Sequence, residues 1–171
     1  DPWGEPKSLG PTINSVGMDH VPFITPDGHT MILASTRAGG PGLNDLYASF
    51  RRNAADDFGW AAPVLIPEIN SAHEDWSPWG FEDPATGRLT LHFSSDRPGG
   101  VGGLDIYAST LQPDGKFSAP TLVPELSTSA SYDSMPTIRE DGLELFLTSN
   151  RPGGLGKVAI WTSTRASTSA P

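Results

Sequence analysis

The sequence contains no cysteine and few basic residues. Without cysteine the chain can form neither a disulfide framework nor a thiolate metal site. Its 11 Lys and Arg side chains stand against 20 Asp and Glu, which gives a net charge of −9 at pH 7. Because phosphate binding needs a basic face, this balance argues against nucleic acid and against an anionic membrane surface as partners.

Long apolar runs are also absent. No stretch approaches the roughly 18 consecutive apolar residues of a membrane-spanning helix, so we predict no membrane span. The chain starts with Asp1 rather than Met, and we interpret it as a mature form, an excised domain or a fragment. The lack of cysteine fits a periplasmic or secreted protein, which is the compartment we predict, although many cytosolic chains lack cysteine too.

Glycine and proline are abundant, and they recur in a pattern. A glycine-rich loop is written three times, as STRAGGPGLND, SSDRPGGVGGLD and TSNRPGGLGKVA. The arginines of these loops are Arg37, Arg97 and Arg151, and the aspartates that recur upstream of them are Asp19, Asp75 and Asp133. Both sets give a period of about 57 residues, which predicts a single repeat domain with units at about 3–52, 60–111 and 117–165.

Each unit contains the same order of short segments. An aromatic-Pro-aliphatic segment is followed by a strand that begins Asp-x-x-Pro, a turn, an alternating strand such as LTLHFSS, the glycine loop and a last strand such as DIYAST. Short runs rich in Ile, Val, Thr, Tyr and Phe between Gly, Pro and Asp are typical of strands. We therefore predict an all-β fold of four strands per unit and twelve in all, arranged as β-propeller blades.

The pattern D-x-x-P…DG…L-x-F-x-S-x-R-P-G-G-x-G-x-x-D-I-Y resembles the TolB-type (WD-like) β-propeller repeat, over residues 3 to about 165. The resemblance implies a propeller fold. It leaves the function open, because such propellers serve as protein-binding platforms, envelope modules and enzyme scaffolds. Propellers of this type look six-bladed, whereas the three units of this chain are too few to close a ring.

The order of the segments suggests how a ring could close. The chain begins with an outer-strand segment, Trp3 to Ile13, and ends after an inner three-stranded set. If the first segment of one chain completes the last blade of another, two chains form a head-to-tail ring of six blades. We predict this homodimer, because a monomer would expose unpaired strand edges. The alternative is that the chain is part of a longer propeller.

The charged residues of the repeat have predicted structural roles. In the first two units the loop arginine stands eight residues before an aspartate, Asp45 or Asp105, and we interpret each pair as an ion pair across the loop. The third unit has Ala159 at this position, so we expect Arg151 to be unpaired and available to a partner. The aspartates at the strand starts are expected to accept hydrogen bonds from backbone N–H groups.

Residues that differ between equivalent positions are better candidates for a site. In propellers the start of the innermost strand lines the mouth of the central channel, where His20, Trp76 and Trp79 would lie. For the two tryptophans, packing between blades is an equal alternative, and for His20 a structural role is favoured. The full set of candidate ligand-binding residues is His20, Trp76, Trp79, Asp19, Asp75, Asp133, Ser134 and Arg151.

No catalytic or metal-binding motif is present. The sequence has no HExxH, no calcium loop, no GK[ST] and no GxSxG, so we predict no catalytic residue, metal or cofactor. The favoured function is a non-catalytic binding or scaffold module that docks a protein, peptide or glycan at the channel mouth. One alternative is a carbohydrate-active enzyme of the glycoside hydrolase or lyase type, with a site built from Asp19, His20, Asp75 and Asp133. The other is a purely structural propeller fragment.

Overall fold

The computed structural model describes residues 2–129 and 131–168. The regular structure of these residues consists of eleven strands in three antiparallel sheets. The strands are β1 (Asp19–Ile24), β2 (Thr30–Ser35), β3 (Asp45–Phe50), β4 (Val64–Leu65), β5 (Asp75–Glu82), β6 (Leu89–Ser95), β7 (Asp105–Thr110), β8 (Thr121–Leu122), β9 (Asp133–Ile138), β10 (Glu144–Ser149) and β11 (Ala159–Thr164). No helix in this part of the chain has the length and apolarity needed to cross a membrane.

The three sheets are β-propeller blades, which confirms the predicted all-β fold. The first and second blades have the strand orders β1-β2-β3-β4 and β5-β6-β7-β8, and the third has β9-β10-β11. The described residues thus contain eleven strands where twelve were predicted. The difference arises because β4 and β8 come from the aromatic-Pro-aliphatic segments of the units that follow them. The matching segment Trp3 to Ile13 lies ahead of β1 and forms no strand.

The first strand of each blade is the innermost one. The strands β1, β5 and β9 contact one another in sequence, as neighbouring inner strands of a propeller do. Each carries an irregularity in its pairing where a non-glycine residue has a positive φ: Val21 at 48°, Ser77 at 52° and Met135 at 54°. Left-handed backbone is costly for such residues, so its recurrence in all three blades marks it as part of the blade architecture.

Apolar side chains fill the spaces between blades. Between the first and second blades, Ile32 and Leu46 pack with Leu91 and Phe93, and all four are buried. Between the second and third blades, Ile106 packs with a second cluster that includes Leu145 and Leu147. The alternation of buried and exposed positions along each strand places these residues on the sheet faces.

A repeated ion pair, the Asp–Arg clamp, fixes the start of each blade. Its members are Asp19 with Arg37, Asp75 with Arg97, and Asp133 with Arg151. In the first blade Nη2 of Arg37 donates to Oδ1 of Asp19 at 2.7 Å and to the carbonyl of Ile13 at 2.7 Å. The other carboxylate oxygen accepts from the backbone N–H and the hydroxyl of Ser15. The clamp therefore joins the inner strand, the glycine loop and the preceding segment.

The clamp corrects two expectations from the sequence. The predicted pairs of Arg37 with Asp45 and of Arg97 with Asp105 are wrong, because both arginines bind the aspartate that begins the inner strand. The expectation that Arg151 is unpaired is also wrong, since its Nη2 lies 2.7 Å from Oδ1 of Asp133. The reason is strand pairing, which places each inner-strand aspartate opposite the serine two residues before the arginine.

The second aspartate of the repeat organises the glycine loop instead. Asp45 accepts hydrogen bonds from the backbone N–H of Gly42, and Asp105 accepts them from Val101 and Gly102. Glycine is required where the loop passes close to other atoms. A Cβ on Gly42 would lie 2.0 Å from the carbonyl oxygen of His73 in the next blade.

The clamp carboxylate of Asp19 is held in the charged state by its hydrogen bonds. Burial alone would raise the pKa of Asp19, but hydrogen bonds from Ser35, the backbone of Ser15 and Arg37 outweigh it and lower the pKa to about 2. The folded state therefore gains stability from this carboxylate above its ordinary pKa of 3.8. That stability is lost as the pH falls through about 2.

The Arg97→Met variant tests how much the clamp stabilises the fold. It leaves the fully buried carboxylate of Asp75 without its cation, so we expect the free energy of unfolding to fall by about 3–5 kcal/mol. Urea unfolding followed by tryptophan fluorescence measures the change. The control is Arg139→Met, whose exposed ion pairs with Asp141 and Glu144 are expected to contribute far less. Equal losses in the two variants would contradict this role.

Candidate functional site

Two residues predicted for the channel mouth lie side by side. His20 follows the clamp aspartate of the first blade and Trp76 follows that of the second. Their ring centroids are 6.1 Å apart and the ring planes are tilted by 52°. Both side chains are half-buried, so part of each ring faces solvent at the start of the inner strands.

A row of hydrogen bonds runs beside this aromatic pair. Nε2 of His20 lies 2.9 Å from Oδ1 of Asn44, and Nδ2 of Asn44 donates to Oε2 of Glu74 at 2.7 Å. Because the Asn44 amide uses an N–H on Glu74, its oxygen faces the imidazole and accepts from Nε2 of His20. We call His20, Asn44, Glu74 and Trp76 the rim cluster. It contains an aromatic face, an imidazole, an amide and a carboxylate.

Sequence reasoning missed two members of the rim cluster. Asn44 lies in the first glycine loop, where the equivalent positions hold Leu104 and Val158. Glu74 precedes a clamp aspartate, where the other units have Met18 and Tyr132. Both positions vary between units, which is the signal that singled out His20 and Trp76. The sequence does not show that the glycine loop of the first blade contacts the start of β5 in the second blade, which is what brings Asn44 beside Glu74.

The rim cluster has an acidic border. Asp96 accepts a hydrogen bond from the backbone N–H of Glu74, and its Oδ1 lies 3.8 Å from Nδ1 of His73. Burial raises the pKa of nearby Asp45, and the charges of Asp75 and Glu74 raise it further. The local field is therefore negative, in keeping with the net charge of the whole chain, and it disfavours anionic ligands.

The remaining predicted site residues lie elsewhere. Trp79 packs against Phe23 with centroids 5.9 Å apart and touches the apolar clusters of both blade interfaces. Ser134 is fully buried, and its hydroxyl has no hydrogen-bond partner among the described residues. The clamp residues predicted as ligand contacts are each held by a clamp partner and by the backbone: Asp19 binds Arg37, Asp75 binds Arg97, and Asp133 binds Arg151.

A cavity lies between the second and third blades, away from the rim cluster. This cavity of about 910 Å³ is lined by apolar residues such as Phe81 and Leu145 and by polar groups that include His92 and Arg165. His92 is equivalent to Ile32, which is buried in the interface of the first two blades. Its Nδ1 is shut off from solvent and has no hydrogen-bond partner in the part of the chain that the structure describes.

The cavity keeps His92 uncharged. Burial, and then the positive charge of Arg165, lower the pKa of His92 to about 4. The imidazole is therefore neutral at physiological pH, at a position where the first blade has the aliphatic side chain of Ile32.

The described residues offer no arrangement for a metal ion. Within 2–129 and 131–168 no group of three or more His, Asp and Glu side chains is placed to hold one.

Comparison with known proteins shows the fold. No family model and no curated protein matches the chain. Among solved structures it is similar to the α-L-arabinofuranosidase from Lactobacillus brevis, with a TM-score of 0.56 and 16% identity over 85% of this chain and 47% of that one. It is also similar to the Bacteroides ovatus xyloglucan PUL GH43B, with a TM-score of 0.54 and 20% identity over 91% of this chain and 28% of that one. The chain thus spans less than half the length of either structure, and the likeness supports the β-propeller fold.

The His92→Ile variant tests the buried imidazole. Between about pH 6.5 and pH 4, His92 becomes protonated in the unfolded chain but stays neutral in the folded chain. The wild type therefore loses stability as the pH falls through this range. This loss reaches about 3 kcal/mol at most, and isoleucine removes it. Urea unfolding at several pH values checks the difference between the two proteins.

Thr90→Val, on the same strand, supplies the control, because it involves no titratable group and is expected to keep the pH dependence of the wild type. If the difference between wild type and His92→Ile stays constant from neutral to acidic pH, His92 is not held neutral by burial.

Proposed function

We propose that the protein is a non-catalytic glycan-binding module whose site is the rim cluster. The observation that carries the proposal is the row from His20 through Asn44 to Glu74 beside the ring of Trp76. Sugars present an apolar C–H face and a ring of hydroxyl groups. An indole can cover that face, while amide, imidazole and carboxylate groups bind the hydroxyls.

The charge of the site favours a neutral glycan. Glu74 belongs to the rim cluster and Asp96 borders it, and the chain carries a net charge of −9. Acidic peptides, phosphates and uronic acids would meet repulsion there. The two solved structures cited above are named for an arabinofuranosidase and for a xyloglucan locus. Arabinan and xyloglucan oligosaccharides are therefore sensible first probes.

Binding is a better proposal than hydrolysis. A glycosidase generally needs two accessible carboxyl groups that flank the scissile bond, and its general acid needs a raised pKa. Asp19, Asp75 and Asp133 are instead held by arginines, and the pKa of Asp19 is lowered to about 2. The enzyme alternative would have to rely on Glu74 with Asp96.

The resemblance to TolB-type repeats and the extracytoplasmic location are further parts of the proposal. Both rest on the sequence: the first on the Asp-x-x-Pro and Arg-Pro-Gly-Gly pattern, the second on the absence of cysteine. A propeller of this type outside the cytoplasm would meet glycans of envelopes or of the medium.

Calorimetric titration with neutral oligosaccharides tests the proposed function. We expect the wild type to bind a member of an arabinan and xyloglucan panel. Trp76→Ala should weaken that binding about tenfold or more, because it removes the central aromatic anchor. Asn44→Ala should also weaken it, since the row from His20 to Glu74 is interrupted.

The matched control is Phe58→Ala, which removes an exposed aromatic ring on an outer turn and should leave the affinity unchanged. Absence of binding to every neutral glycan, or equal affinity in wild type and Trp76→Ala, would contradict the proposal. Release of reducing sugar that Glu74→Gln abolishes would favour the enzyme alternative.

A further inference from the structure

The face of the second blade that meets the third carries polar residues where the first blade has apolar ones. His92 stands at the position of Ile32, and Thr110 stands at the position of Phe50. Thr90 lies opposite Thr110 in the sheet and two residues before His92, so the three side chains point to the same side. We call Thr90, His92 and Thr110 the polar strip, and all three line the cavity of about 910 Å³.

The walls of this cavity belong to strands that are paired on both sides. The polar strip lies on β6 and β7, and Leu145 of the facing wall lies on β10. Each of these three strands has a neighbour on either side within its own sheet. The inner part of the cavity is therefore a feature of the junction between two blades and does not depend on a free sheet edge.

Apolar side chains and charged side chains occupy different parts of the lining. Four apolar side chains in the lining are buried: Phe81, Leu126, Ile138 and Leu145. The charged residues of the lining are all exposed or half-buried, and they are Asp83, Arg88, Glu125, Glu144 and Arg165. Because a charge buried against apolar walls is unfavourable without a partner, the inner part of the cavity suits a neutral and largely apolar group.

His92 presents a hydrogen-bond donor to the cavity. Its Nδ1 is shut off from solvent and has no partner among the described residues, whereas the side chain as a whole is half-buried and lines the cavity. The accessible part of the ring is therefore its other side, which carries Nε2. The imidazole is neutral, and a proton on Nε2 leaves only a bare lone pair at the sealed nitrogen. The N–H group then faces the cavity.

The two threonines extend the hydrogen-bonding capacity of the polar strip. Their hydroxyl oxygens lie 3.1 Å apart, so one hydroxyl donates to the other. The donating oxygen can still accept a hydrogen bond, and the accepting hydroxyl keeps its own proton to donate. The strip can thus satisfy a ligand hydroxyl group, which needs both a donor and an acceptor.

We propose that the cavity between the second and third blades binds a neutral aromatic or alicyclic alcohol. The hydroxyl oxygen of the ligand accepts a hydrogen bond from Nε2 of His92, and its ring packs against Phe81 and Leu145. The cavity volume lies within the roughly 300–1,000 Å³ of small-molecule sites in proteins. This site is separate from the rim cluster and does not rest on the glycan-binding function proposed for that cluster.

The lining favours an alcohol of this kind over a hydrocarbon or a sugar. A hydrocarbon would fill the apolar part but would leave the N–H of His92 without an acceptor. A sugar carries hydroxyl groups around its whole ring, and several of them would face the buried apolar side chains without partners. A ring with a single hydroxyl group matches one polar strip opposite one apolar wall.

Titration of the ¹⁵N-labelled 171-residue chain with benzyl alcohol, followed by amide chemical shifts, tests the proposal. We expect saturable shifts at residues of the two cavity walls, such as Thr90, Ala108 and Leu145. The amides of Asn44 and Trp76 in the rim cluster should stay unchanged. This map separates the proposal from the proposed glycan binding, because each site reports through its own residues.

The His92→Ile variant tests the hydrogen bond. The junction of the first two blades contains isoleucine at the equivalent position, so the variant is expected to fold. It should bind benzyl alcohol about tenfold more weakly than the wild type, because the donor is lost. Toluene has the same ring without the hydroxyl group, and its affinity should not fall. His73→Ile is the matched control, since it changes an exposed histidine outside the cavity and should keep both affinities.

Two results would overturn the proposal. One is a titration in which benzyl alcohol shifts no amide of the cavity walls. The other is an equal loss of affinity for benzyl alcohol and toluene in His92→Ile, which would show that the imidazole only shapes the cavity and that an alcohol is not the preferred ligand.

Discussion

The Asp–Arg clamp is the interaction on which the rest of the structure depends. Each clamp buries a carboxylate that would be unfavourable inside a protein without its arginine and its hydrogen-bond donors. Because the carboxylate, the arginine and the other hydrogen-bonding groups lie on different segments, each clamp brings together three stretches of chain that are far apart in sequence. In the second blade Arg97 follows β6, Asp75 begins β5, and Ile69 belongs to the segment that closes the first blade. The clamp thus sets blade geometry and blade order together.

The clamps and strands recur in every blade, whereas the side chains at neighbouring positions differ from one blade to the next. His20 and Trp76 immediately follow clamp aspartates, so their backbones are fixed although their side chains differ from those of the third unit. His92 shows the same freedom on a sheet face, where it occupies the position of Ile32 in the first blade and lines a cavity. The repeat supplies the scaffold, and departures from it supply the chemistry.

The fold could be predicted from the sequence because its signals are local and written three times. Strand runs, turns and glycine loops follow from short-range composition, and the period predicted blades. The ion pairs could not be predicted in this way, since counting eight residues to Asp45 ignored the hairpin that brings Asp19 beside Arg37. Asn44 and Glu74 were missed for a related reason: their contact crosses from one blade to the next.

Contacts between blades also explain why a single blade is not a complete structural unit of this protein. The segment of residues 64–71 gives a strand to one blade and clamp partners to the next, so neither blade is complete without it. Stability in such an array comes largely from the interfaces between neighbours. Within the described residues the segment ahead of β1 pairs with no strand and the outer edge of β11 is unpaired, so the first and third blades have fewer of these shared contacts than the second.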